Sequence, residues 1–183
     1  NTNGNNTIIG SNTLQTGTGS ENCCIFGSQA GKSLTGSNNI YFGKSSGENA
    51  TSGNNNIVIG AEAGKNNQNS KNIFIGNETG KENTSGYNNI YSGHQAGKSS
   101  TTATDNIYVG SNSASSATIG SLNVVIGSDA APNFTTTSNI IAIGYKSGFS
   151  CKEDNNIFIG SNSGAFSHLG KKNLAHQSFV KNI

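Results

Sequence analysis

Three histidines, three cysteines, three aspartates and a set of repeated lysines are the residues with which this chain could do chemistry. Acid–base or nucleophilic catalysis needs such groups to converge, with a base within reach of a nucleophile and a third group to orient it. His94, His168 and His176 fall in different parts of the sequence pattern, and none has an Asp or Cys at a recurring offset. Calcium-binding coils place Asp at a fixed position of a Gly-rich repeat. Here Asp105, Asp129 and Asp154 occupy unrelated positions. Cys23 and Cys24 are adjacent, and Cys151 is more than seven repeats away, roughly 35 Å at about 4.8 Å per rung, too far for a disulfide. The vicinal pair reads as Cys23 in an Asn position beside Cys24 in a core Ile position. Lys32, Lys65, Lys81 and Lys98 share one place in the repeat. They read as a solvated face that resists aggregation, with an anionic glycan as the sharper alternative. No catalytic, metal or cofactor site is expected.

The elements that carry these residues come from one repeat. Gly10, Gly27, Gly43, Gly60, Gly76, Gly93, Gly110, Gly127, Gly144 and Gly160 recur every 16 or 17 residues, each closing a short apolar run such as Asn56-Ile57-Val58-Ile59. A period of this length, with β-branched and aromatic residues before a glycine, predicts an all-β, single-stranded parallel solenoid of ten to eleven rungs. Residues 1–170 form the repeat domain. Residues 171–183 form a degenerate last rung, a cap or the start of a following segment, because Asn173-Leu174-Ala175-His176-Gln177 keeps the register but loses Ile and Gly.

With each glycine as zero, positions minus three and minus one have strand parity and are mostly Ile, Val or Phe, so both columns are expected to form the core. Ile57, Ile73, Ile107, Ile141 and Ile157 would be buried in one of them. Small residues at plus three would let a returning strand lie close, and the glycine would supply a positive-φ bend or a close approach. Asn at minus four, in nine rungs, would bond from rung to rung and cap the turns.

By the same parity, minus two faces outward. This column holds Tyr41, Phe74, Tyr91, Tyr108 and Phe158, which are the candidate interface residues. A continuous apolar stripe of this length exceeds what monomers expose. It would be covered by identical chains in a parallel trimer, serve as a lateral binding face, or be enclosed by a flattened coil. Ice binding would use threonine columns, and none is expected to run through successive rungs.

Composition narrows the classes further. Only 31% of residues are hydrophobic and the net charge is +2, which argues against a compact globule and against nucleic acid as partner. No run approaches the roughly 20 apolar residues of a membrane span. The start lacks both Met and a signal-peptide core, as expected of part of a longer or processed protein.

The pattern Asn-Ile-Phe-Ile-Gly followed by x-x-Ala-Gly resembles the head repeat of trimeric autotransporter adhesins, the YadA-like left-handed β-roll, and is similar to repeats of some phage tail fibres. Its best copies run from Asn56 to Gly64, Asn72 to Gly80 and Asn156 to Gly164. The repeat is two or three residues longer than that of the adhesin heads and carries aromatics where they often have Ala. The resemblance implies a homotrimer displayed outside the cell, on its surface or on a virion, that adheres to host, matrix or glycan. The expected function is a structural or adhesive fibre segment, a rigid spacer and presentation surface. The alternative is a monomeric solenoid holding an extended polysaccharide or ice along one flat face.

Overall fold

The computed structural model describes residues 4–164 and the backbone of 174–176. The chain coils into a parallel β-solenoid with no helix among the described residues. Each rung contributes one three-residue strand: β1 (Thr7–Ile9), β2 (Cys24–Phe26), β3 (Ile40–Phe42), β4 (Ile57–Ile59), β5 (Ile73–Ile75), β6 (Ile90–Ser92), β7 (Ile107–Val109), β8 (Val124–Ile126), β9 (Ile141–Ile143), β10 (Ile157–Ile159) and β11 (Leu174–His176). They form one sheet in sequence order, and every pair is parallel with equivalent repeat positions opposite one another, from Thr7 beside Cys24 to Ile159 beside His176. The degenerate rung at 174–176 thus keeps its register. The rest of the tail, His168 included, lies outside the described residues. Among the described residues no second strand returns along the coil; the return path is a succession of turns.

The glycine column marks a close approach between rungs. These glycines have φ between 113° and 147°, and a Cβ on Gly43 would lie 2.6 Å from the carbonyl oxygen of Gly60 one rung on. Any side chain would therefore pry the rungs apart. Two further corners turn through the left-handed region without glycine. The residue five before each glycine does so at Asn22, Asn38, Asn55, Asn88, Asn139 and Asn155, and the residue two after it at Asn12, Gln29, Glu62 and Glu78. Asn tolerates this conformation better than most residues, which accounts for its abundance at the first corner.

The core is the minus-two column, and here the parity expectation is corrected. Ile25, Tyr41, Val58, Phe74, Tyr91, Tyr108, Val125, Ala142 and Phe158 are all buried, whereas Ile107 and Ile141 of the minus-three column are 38% and 36% exposed. Ile57, Ile73 and Ile157 are half-buried. In a three-residue strand only the middle side chain points into the coil, and the two flanking ones point out. The rings stack along the axis, with centroids 5.0 Å apart for Phe74 and Tyr91 and 4.6 Å for Tyr91 and Tyr108.

Across the coil, a buried column seven residues after each glycine adjusts its size to the ring it meets. Tyr41 shares its rung with Ala50, Phe74 with Asn83, Tyr91 with Ser100 and Tyr108 with Ala117, while the smaller Val125 shares its rung with Phe134. Large against small keeps each level filled without strain. The Tyr91 hydroxyl lies 3.3 Å from Ser100 Oγ. The hydroxyls of Tyr41 and Tyr108, opposite alanines, are buried without a hydrogen-bond partner, the amides of Asn56 and Asn123 coming near without proper geometry.

The Asn column bonds from rung to rung as expected, and it runs inside the coil, on the face that parity had turned outward, from Asn39 through Asn123 with no exposure. Each side chain braces two directions. Asn89 Oδ1 accepts the backbone N–H of Asn106 on the next rung at 3.1 Å, and Asn89 Nδ2 donates to the carbonyl of Ala103, at the corner leading into that rung, at 2.7 Å. The same pair of bonds recurs at Asn39, Asn56, Asn72, Asn106 and Asn123. Cys23 and Ile140 interrupt the column.

Two stability outcomes follow. Ala117→Ser places beside Tyr108 the partner that Ser100 gives Tyr91, and should raise unfolding free energy by about 0.5–1.5 kcal/mol in a denaturant titration; a loss would mean that the methyl packing matters more than the orphaned hydroxyl. Asn89→Ala strands the Asn106 N–H and the Ala103 carbonyl in the interior at about 1–3 kcal/mol each, so the same titration should show a drop of that order, and an unchanged midpoint would deny the ladder its role.

Candidate functional site

The five residues expected at an interface, Tyr41, Phe74, Tyr91, Tyr108 and Phe158, lie inside the coil at 0–1% exposure. They stack together, but a side chain already enclosed by its own chain is not available to a neighbour. Of the three alternatives drawn from the sequence, the enclosing coil is the one observed. The apolar face passes instead to the two columns on either side of them.

That outer face carries Ile9, Phe26, Ile40, Phe42, Ile59, Ile75, Ile90, Ile107, Ile126, Ile141, Ile143 and Ile159, each between 36% and 55% exposed. Phe26 and Phe42 stack on each other in the open with centroids 4.9 Å apart. The strand residues contain no charged side chain from β1 to β10. Taken together the twelve expose roughly 800 Å² of apolar surface, above the few hundred Å² common on a monomer and close to one partner's share of a standard interface. Backbone pairing sets the spacing: rungs rise about 4.8 Å, so the side chains form two ridges along the sheet.

Cys24 points out of this face and Cys23 into the coil, the reverse of the sequence expectation and a consequence of the same parity. All three cysteines are free, and burial pushes the thiols of Cys23 and Cys151 up. His94 is exposed on the corner next to β6. Among the described residues no three His, Cys, Asp or Glu side chains gather as metal ligands would.

From Lys65 to Lys98 the lysine row is neither purely solvated nor free to take an anion. Lys65 pairs with Glu48 at 3.3 Å, Lys81 with Glu62 at 2.7 Å and Glu78 at 2.9 Å, and Lys98 with Glu78 at 2.7 Å. Glu78 reaches Lys81 within one rung, and the other three pairs join neighbouring rungs, so a ladder of ion pairs crosses from one level to the next. Hydrogen bonds from Lys98, Lys81 and Gln95 bring the Glu78 carboxyl down to about 2, and Lys81 holds that of Glu62 below its usual range.

A threonine column does run through successive rungs, contrary to the sequence reading. Thr35, Thr51, Thr84, Thr101, Thr118 and Thr135 stand eight residues after their glycines on the opposite side of the coil, with Gln68 taking one level. Backbone bonds hold the row in register, for example Thr84 N to Thr101 O and Thr101 N to Thr118 O, both 2.9 Å. A cleft of about 170 Å³ opens at its end beside Thr135, Thr136, Thr137 and Cys151.

Comparison of the chain with protein-family models, with curated proteins and with solved structures yields no match.

Glu78 gives the ladder a pH signature. Its folded pKa, lowered to about 2, lies below the unfolded value near 4.3, so its contribution is present above the unfolded value and is lost as pH falls toward the folded one. The melting temperature should fall between about pH 5 and pH 2, modestly because the pair is partly exposed to solvent. Glu78→Gln should flatten that slope; an identical pH profile for the variant would remove Glu78 from the ladder.

Proposed function

We propose that this chain is a non-catalytic structural and adhesive segment of a surface or fibre protein, a rod that packs with copies of itself through the outer face of its sheet. The observation that carries this reading is the uncharged, twelve-residue Ile and Phe face left open on a single chain. A second copy suits it because every copy has the same rise per rung, so ridges keep step along the whole rod. Three parallel copies, with these faces turned to a common axis, follow the resemblance of the repeat to adhesin heads. The remaining sides of each coil then face outward as spacer and binding surface.

The core and the assembly face belong to alternate positions of the same strands, so fold and assembly can be tested separately. Ile75→Ser, Ile90→Ser and Ile107→Ser combined remove about 100–200 Å² of exposed apolar surface without touching the enclosed column. In sedimentation equilibrium the parent chain should have three times the 18.8 kDa of one chain, and the triple variant should be a monomer with unchanged circular dichroism. A parent of monomer mass would overturn the assembly and leave the face to another ligand.

A further inference from the structure

Two columns bound the uncharged outer face of the sheet, and nearly all the charge beside that face stands on them. Minus five, counted from the glycines, runs along one edge and plus one along the other. The first edge carries Lys71 beside β5 and Asp105 beside β7, among neighbours that are otherwise Asn or Leu. The second carries Lys44 beside β3 and His94 beside β6, and all four side chains are exposed. Next to that second edge, at plus two, Glu62 is the most open carboxylate of the ion-pair ladder, at 36% against 17% for Glu48 and 21% for Glu78. The ladder engages Lys65, Lys81 and Lys98, whereas among the described residues Lys44, Lys71 and Asp105 have no ion-pair partner within the chain. Asn88 Nδ2 donates to Asp105 Oδ1 from one rung below at 3.0 Å and holds that carboxylate at the edge.

Parallel copies that turn the same face to a common axis bring the minus-five edge of each against the plus-one edge of the next, the head-to-tail contact that closes a ring. Asp105 stands one rung beyond the level of His94, and Lys71 one rung beyond that of Glu62. The two pairs thus share one offset of about 4.8 Å, within the span of their side chains. An imidazole N–H donates to a carboxylate in either charge state, so Asp105 and His94 suit each other. The apolar ridges keep step at any whole-rung shift and leave the register open, but the edge charges do not. A slip of one rung one way would set Lys71 against Lys44 and Asp105 against Glu78, and a slip the other way would leave Asp105 opposite Ser111. Antiparallel copies with β6 on β6 would oppose Lys44 to Lys146 and Glu62 to Asp129. Like charges brought together select against such arrangements.

We propose that, in the assembly through the outer face on which this inference rests, Asp105 of each copy pairs with His94 of the next and Lys71 with its Glu62, and that these edge pairs set the copies parallel and in register. The apolar face supplies the burial, and the charged edges supply the choice among arrangements that bury it equally.

Sedimentation equilibrium of the full chain, with substitutions on the two edges, tests the pairing. The backbone accepts Asp105→Lys, since Lys71 occupies the same position with φ 62° against 58° for Asp105. Asp105→Lys and His94→Glu should each weaken association about tenfold over the ring's contacts, with circular dichroism unchanged. An equimolar mixture of the two variants should recover most of the parent's association, because the altered edges are complementary between chains and lie on opposite sides of the sheet within one. A parent of monomer mass would overturn the assembly and the edge pairing with it. A parent of trimer mass that neither variant weakens, or a mixture that associates no better than its components, would overturn the edge pairing alone.

Discussion

A coil of 16 or 17 residues encloses so little space that each rung can hide one large side chain from its strand, and most other features of this molecule follow from that limit. The enclosed position is the middle of a three-residue strand. Its two neighbours must face out whatever their chemistry, and here their chemistry is apolar. The limit also explains why Tyr and Phe in one column meet Ala, Ser or Asn across the coil, and why a level with Val125 admits Phe134. Volume is conserved level by level because rungs stack at a fixed rise and cannot borrow space from one another.

The same rise determines where side chains are forbidden. Carbonyls of one rung sit where the Cβ of the previous rung's glycine would be, as at Gly43 and Gly60, so the glycine column belongs to stacking as much as to turning. The asparagine ladder complements it from inside. Each amide satisfies a backbone donor one level on and an acceptor at the corner leading into that level, work that a wider core would leave to a second sheet.

The repeat, its register and the role of the asparagines were legible because they depend on spacing, and spacing survives without knowledge of inside and outside. Burial was not read correctly, since strand parity names two alternating sets and leaves open which is enclosed. The deciding clue was present: minus four and minus two share a face, so an asparagine ladder that caps turns from within places Tyr91 and Phe74 within too. Choosing instead the two columns richest in Ile put the candidate interface on the wrong set. The threonine row is equally legible at plus eight from Thr35 to Thr135, although Gln68 breaks it and no apolar run marks it. The Lys65, Lys81 and Lys98 pairs depend on carboxylates from other rungs, at offsets that the lysine row does not reveal.

Which set is inside is therefore the claim on which both the stability of the coil and its assembly face depend, and the five tyrosines test it directly. Tyr87 and Tyr145 are exposed, while Tyr41, Tyr91 and Tyr108 are enclosed. Nitration of the native chain by tetranitromethane, mapped by peptide mass spectrometry, should modify Tyr87 and Tyr145 and spare the other three until the chain is unfolded. Nitration of Tyr41, Tyr91 and Tyr108 in the folded chain at the rate of Tyr87 would contradict the account and return the minus-two column to the surface.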